Sequence, residues 1–160
     1  MRNNEATRET PVLKGEVLCP GQASGPMALL REPLSFWGGI EAATGRIIDR
    51  SHPDLGKCVA GRILVMPSGR GSSSSASVLA EAIRRGAAPL AILMARPDPI
   101  LTVGAIVARS LYGLRCPIVV CAIDGLASGD RLRVSALDTG AARIEILSRT
   151  ERLPAGSTFS

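Results

Sequence analysis

The stretch Gly69-Arg70-Gly71-Ser72-Ser73-Ser74-Ser75-Ala76-Ser77 gathers the groups of this chain best suited to chemistry. Its glycines let the backbone turn sharply and approach a ligand closely, and its serines add a row of hydroxyls. An apolar run, Arg62 to Met66, precedes it and reads as a strand; a run from about Ser77 to Arg85 follows and reads as a helix. A loop placed there faces the first N–H groups and the positive dipole end of the helix, so an anionic ligand is its expected occupant. The plainer alternative is a Ser-rich connector that caps the helix through Ser75 or Ser77.

Strand, loop and helix open an alternating second half. A strand at Leu90 to Ala95 follows, then a helix from about Ile100 to Leu111 ended by Gly113, then a strand from Pro117 to Ala122. That order predicts two βαβ crossovers. On the first helix Val78, Leu79, Ala82 and Ile83 share one face opposite Glu81, Arg84 and Arg85, as expected of a helix lying on a sheet. The first half reads as short strands at Val12 to Leu18, Met27 to Leu30 and Arg46 to Asp49, separated by Gly and Pro turns. Two alternating runs near the end, Arg131 to Ser135 and Arg143 to Leu147, read as a closing hairpin.

A length of 160 residues with 46% hydrophobic content supports one domain, placed at residues 12–148, with polar tails at 1–11 and 149–160. The apolar runs are too short to span a membrane and no signal segment opens the chain, so a cytoplasmic protein without membrane contact is expected. The net charge of +5 does not imply nucleic-acid binding, because the arginines are scattered among acids and only four aromatic side chains exist to stack on bases. The charge suits a small anionic substrate or an acidic partner subunit.

Cys19, Cys58, Cys116 and Cys121 are widely spaced with no Cys-x-x-Cys pair, so no metal site is assigned to this chain. In a strand, Cys116 and Cys121 project to opposite faces as small buried thiols. His52 is the sole histidine and precedes a proline, which favours a surface or turn position over a general base.

Beside the Gly-Arg-Gly-Ser-Ser loop stand Pro33-Leu34-Ser35-Phe36-Trp37-Gly38-Gly39, Thr44-Gly45-Arg46-Ile47-Ile48-Asp49 and His52-Pro53, followed by Val78-Leu79-Ala80-Glu81, Pro99-Ile100, Gly104-Ala105 and Leu111-Tyr112-Gly113. In this order the segments resemble, from about Lys14 to Val120, the swivelling domain of the aconitase X family in the form where that domain is a separate small subunit. Ser68 stands where the family pattern carries a glycine.

The resemblance implies an α/β fold, a swivelling β/β/α domain with the Gly/Ser loop between a strand and a helix N-terminus. It also implies a large catalytic partner subunit that holds an iron–sulfur cluster, whose iron assists loss of a hydroxyl as a Lewis acid, so that this chain needs no metal ligands. The associated reactions are dehydration of cis-3-hydroxy-L-proline, toward which the serine-rich loop leans, and dehydration of mevalonate 5-phosphate. A noncatalytic docking subunit is the alternative from another class. By the motif, Ser72 is the catalytic base, its alkoxide stabilised by the Gly71 and Ser73 amides and by Arg70; Arg70, Gly71 and Ser73 also contact substrate. Arg70 pairs with a substrate carboxylate or bridges to the partner. Trp37, with Gly38 and Gly39, forms the subunit interface, or Trp37 closes the core beneath its turn. Phosphohistidine domains share the swivelling fold but need a histidine where this chain has serines, and no Gly-x-x-x-x-Gly-Lys-Ser/Thr motif is present.

Overall fold

Seven strands and two helices make up the computed structural model, which describes residues 9–150: β1 (Val12–Cys19), β2 (Gly21–Leu29), β3 (Ile63–Met66), α1 (Ser75–Arg84), β4 (Ala91–Met94), α2 (Pro99–Tyr112), β5 (Ile118–Cys121), β6 (Arg131–Ala136) and β7 (Ala141–Ser148). The strands close into a barrel in the order β1-β5-β4-β3-β2-β6-β7. β2, β3, β4 and β5 run parallel, and every pair involving β1, β6 or β7 is antiparallel. The expected crossovers are β3-α1-β4 and β4-α2-β5, and β6 and β7 form the expected hairpin. Residues 1–8 and 151–160 of the expected tails lie outside the described residues, whereas Arg149 and Thr150 hydrogen-bond to the Gly125 carbonyl and the buried Asp130 carboxylate.

Strand alternation divides the apolar residues between two cores. Ile63, Val65, Ala91, Leu93 and Val119 fill the barrel with Val134 and Ile144. Their neighbours Leu64, Met66, Ile92, Met94 and Ile118 point the other way, onto Leu79 and Ile83 of α1 and Leu101 and Ala105 of α2. The short central strands are buried on both faces for this reason, which is why they read as continuous apolar runs. The two helices touch through Gly104: a Cβ there would lie 2.6 Å from the Ala76 carbonyl oxygen, so only glycine permits the approach.

Three boundaries differ from the sequence reading, the first at β2, which begins at Gly21 rather than Met27 because its pairing with β6 runs from Gly21 to Pro26. The stretch expected as a strand at 46–49 contributes only single bridges, Arg46 to Cys58 and Ile47 to Ile40. Gly45 stands at φ +74 and turns crowd both sides, so no ladder propagates, yet the excursion between β2 and β3 buries Leu34, Phe36, Ile40, Ile47 and Val59 in the helix-side core. Helix α1 begins at Ser75, two residues before Ser77, because Ser75 is already drawn inside: its N–H donates to the Ser72 carbonyl and its hydroxyl accepts from the Trp37 amide at 3.0 Å.

Candidate functional site

β3 delivers the chain to the Gly69–Ser74 loop, and α1 carries it away. Beside the loop runs the segment 34–37, joined to it by a parallel bridge between Leu34 and Gly69 and by the Arg70 N–H on the Leu34 carbonyl. The fit is close on both sides: a Cβ on Gly71 would strike the Ser35 hydroxyl, and one on Gly69 would strike Oδ2 of Asp98. With the start of α2, these residues enclose a cleft of about 240 Å³ lined by Phe36, Arg70, Gly71, Ser72, Ser75 and Asp98, among others. That is room for a small metabolite.

Ser72 is half-buried at the cleft wall, and its Oγ accepts the Ser74 N–H at 3.1 Å. The donor at the Ser72 hydroxyl is therefore the Ser74 amide, rather than the Gly71 and Ser73 amides expected from sequence, because the chain closes an ST-turn before entering the helix. Nor does α1 present a row of open amides. Its first two, on Ser75 and Ala76, donate to the Ser72 and Ser73 carbonyls, so the helix acts on the cleft mainly through its dipole field. Ser74 occupies the N-cap position without a side-chain capping bond, Ser73 is exposed outside the cleft lining, and Ser75 is a buried loop contact.

Arg70 reaches back across the loop to Asp49, Nη2 to Oδ2 at 3.3 Å. Its side chain remains 53% exposed and lines the cleft, so a carboxylate of the chain itself, contacted through one nitrogen, already partners it. Asp98 also lines the cleft, its Oδ2 packed against Gly69, and was not singled out by sequence reasoning. Its Oδ1 caps α2 by accepting the Ile100 and Leu101 N–H groups at 2.9 and 3.1 Å. Asp98-Pro99, a capping residue followed by Pro at the first helical position, is the signal that could have found it. This carboxylate meets the α2 donors and opposes a second negative charge beside it, so Arg70 is the cleft-lining group that welcomes an anion.

Trp37 is 58% exposed, so it does not close the core; Phe36 beside it does, fully buried. Trp37 turns over Gly38 and Gly39, with its amide on Ser75 and its carbonyl accepting from the Ser35 hydroxyl at 2.8 Å, which fixes the Trp37 backbone beside the loop. His52, expected at the surface, is 4% exposed. It does lie in a turn, where Nδ1 accepts the Asp54 N–H at 3.0 Å and Nε2 faces the Glu32 carbonyl at 3.4 Å; it takes no part in the cleft. Ser68 sits unstrained at negative φ in place of the family's glycine, and its hydroxyl accepts from Arg96.

Among the described residues no group of three or more His, Cys, Asp or Glu side chains could hold a metal ion, and the cysteines do not fit an iron–sulfur cluster. Cys116 faces the helix-side core and Cys121 the barrel interior, on opposite faces as alternation predicts. Burial pushes the Cys116 thiol up to about 12 and the Cys121 thiol up to about 11, and raises Cys19 as well, so none offers the thiolate that iron requires. Cys58 alone is partly exposed. A thiol-specific disulfide reagent at pH 8 is expected to label Cys58 first, with the other three reacting on the order of a hundredfold more slowly until the chain is unfolded. Fast labelling of a second thiol in the folded chain would contradict this burial.

No helix among the described residues is long and apolar enough to cross a membrane. Residues 12–146 match the aconitase X swivel domain family. A cis-3-hydroxy-L-proline dehydratase of Pseudomonas aeruginosa is 48% identical over 101 residues, 63% of this chain but only 17% of that protein, so the chain spans less than a fifth of this relative's length. The phosphomevalonate dehydratase small subunit of Thermococcus onnurineus is 33% identical over 83% of this chain and 98% of its own. The crystal structure of Thermococcus kodakaraensis aconitase X in its holo-form superposes with a TM-score of 0.77 at 34% identity, covering 86% of this chain and 99% of that one. The match begins with β1, ends within β7 and takes in the whole cleft, and the α/β fold with the Gly/Ser loop between β3 and α1 is the one the resemblance implied: the chain belongs to the aconitase X swivel domain family.

Proposed function

We propose that this chain is the small subunit of an aconitase X-type hydro-lyase and contributes Ser72 as the base in the dehydration of cis-3-hydroxy-L-proline. One observation supports this above the rest: the Ser72 hydroxyl stands in a small cleft, holding an amide N–H on its oxygen, beside a helix N-terminus and an exposed arginine. A serine is a weak base until its alkoxide is stabilised. The Ser74 N–H, already in place at 3.1 Å, and the α1 dipole both favour that negative charge without rearrangement. The proton to be removed lies α to a carboxylate and the hydroxyl on the next carbon. Arg70 at the mouth of the cleft suits the carboxylate, and charge building there during proton removal strengthens the contact.

The rest of the catalytic machinery is assigned to a large partner subunit. The cleft opens to solvent on this chain, and the Pseudomonas relative is far longer than the swivel domain. The iron–sulfur cluster expected of the reaction is assigned to that subunit too, in keeping with the poor fit of these buried thiols to one. A second substrate, mevalonate 5-phosphate, is favoured by a different observation: the phosphomevalonate dehydratase small subunit of Thermococcus onnurineus is matched over 98% of its length and over 83% of this chain, against 63% of this chain for the Pseudomonas relative. Both substrates carry a carboxylate with a hydroxyl on the β-carbon, so the roles of Ser72 and Arg70 are the same in each.

Co-expression with the large subunit and assay of both substrates tests the proposal. Turnover of cis-3-hydroxy-L-proline alone supports it, turnover of mevalonate 5-phosphate alone selects the second reading, and a complex that forms but dehydrates neither points to a docking subunit.

Trp37 is proposed as an anchor of that interface, with Gly38 and Gly39 shaping its turn. An exposed indole on a backbone pinned beside the loop is placed to be covered by the partner. Trp37→Ala is expected to weaken assembly by about 2 kcal/mol, roughly thirtyfold in Kd, with little change in the melting temperature of the isolated chain. Unaltered assembly in a sedimentation titration would remove Trp37 from the interface.

A further inference from the structure

We propose that Asp49 is a positioning residue for the substrate carboxylate, acting through Arg70. The inference rests on the reading above that an anion enters beside Arg70. Asp49 lies in the turn-rich excursion between β2 and β3, outside the cleft lining, so its route to the substrate is through Arg70.

The geometry is that of a fixed acceptor. One carboxylate oxygen, Oδ1, takes the Ser51 N–H at 2.9 Å and the Ser51 hydroxyl at 2.7 Å. These bonds set the plane of the carboxylate and hold its negative charge, and they keep the acid below the usual carboxylate range with Arg70 adding to the effect. The second oxygen, Oδ2, is then left to meet Arg70 Nη2 at 3.3 Å.

Arg70 is tied at its other end as well. Its N–H donates to the Leu34 carbonyl, beside the Leu34–Gly69 bridge. With the main chain and one guanidinium nitrogen both held, Nε and Nη1 keep donors that have no partner among the described residues, on a side chain that lines the cleft and is half exposed. A guanidinium is a rigid planar fork that can serve two carboxylates from different edges.

Stability does not account for this arrangement. An exposed ion pair contributes little to folding, since immobilising a long arginine opposes the attraction and solvent screens it. The same immobilisation is an advantage for binding: a side chain ordered before the ligand arrives loses less freedom when it does. The pair also joins the 46–49 segment to the catalytic loop, which gives that segment a role at the site although it supplies no wall of the cleft.

Asp49→Asn tests the idea because it keeps an oxygen for Ser51 and turns an amide, a donor, toward the guanidinium. Two readouts are needed. On the full chain, the side-chain Nε–Hε order parameter of Arg70 by NMR should fall in Asp49→Asn with the melting temperature unchanged. In the complex with the large subunit, KM for whichever of cis-3-hydroxy-L-proline and mevalonate 5-phosphate is turned over should rise about five- to tenfold with kcat within about twofold. Arg70→Ala should raise KM further, and Asp49→Asn added to Arg70→Ala should change nothing more, because Asp49 acts only through Arg70.

An Arg70 that stays ordered in Asp49→Asn overturns the proposal. So does mobile Arg70 with unaltered KM, or a KM loss that adds to that of Arg70→Ala. A parent complex that turns over neither substrate defeats the functional reading instead, and the NMR arm still decides whether Asp49 holds Arg70.

Discussion

Replacing Ser72 with alanine is expected to lower turnover of the assembled enzyme by about two to four orders of magnitude, with assembly and KM near the parent values. The change removes one oxygen. It leaves Gly71 at its positive φ, the α1 dipole in place and the Arg70–Asp49 pair untouched, since none of these depends on the hydroxyl. Its structural cost is the acceptor for the Ser74 N–H, an exposed hydrogen bond worth about 1 kcal/mol at most. That small cost separates two roles. If the Ser72 hydroxyl only closes the turn into α1, the variant loses about 1 kcal/mol of stability and keeps its rate. If it is the base, the rate collapses and stability moves by the same small amount. Exchange of the substrate α-proton with solvent is the sharper measurement, because it follows deprotonation without requiring loss of the hydroxyl. A Ser72→Ala complex exchanging that proton at the parent rate would assign the base to the large subunit.

Much of this site was legible in the sequence for a local reason. The Gly-Arg-Gly-Ser-Ser stretch lies between a buried apolar run and an amphipathic helix, and both patterns are carried by residues adjacent to the loop. The alternating second half was legible on the same grounds, as were the capping glycine of α2 and the opposite faces of Cys116 and Cys121. What escaped depends on partners distant in the chain. Barrel closure needs β1 beside both β5 and β7, and β2 beside β3 and β6, pairings that no local pattern encodes.

The Arg46–Asp49 run has strand-like composition, but Gly45 at positive φ and the turns around it confine it to single bridges. The burial of His52 comes from the excursion folding over it, and a lone histidine before a proline carries no sign of that. The identity of the donor to Ser72 turned on whether the loop closes an ST-turn, a matter of backbone angles that six consecutive residues of Ser and Ala type do not specify. Asp49 escaped for a further reason: it meets Arg70 across 21 residues, and its motif gave it no role.

Gly71→Ala should cost about a hundredfold in turnover through geometry alone, and it should also destabilise the isolated chain by about 1–3 kcal/mol. Gly71 holds φ +99, a region that side-chain-bearing residues rarely adopt, and its missing Cβ faces Ser35. An added methyl would overlap the Ser35 hydroxyl and stand 3.0 Å from its Cβ. Swinging the Ser35 hydroxyl away would break its bond to the Trp37 carbonyl and still leave its Cβ in the way. Relaxation therefore moves the loop, and the first residue carried along is Ser72. A shift of about 1 Å in a catalytic group is enough for a hundredfold loss. Combining the variants tells geometry from any independent effect. If Gly71 matters because it places Ser72, then Gly71→Ala added to Ser72→Ala lowers the rate no further, while the stability cost of Gly71→Ala persists in full. A double variant slower than Ser72→Ala by another hundredfold would mean that Gly71 serves the reaction independently of the Ser72 hydroxyl, for instance by admitting substrate past the Ser35 wall.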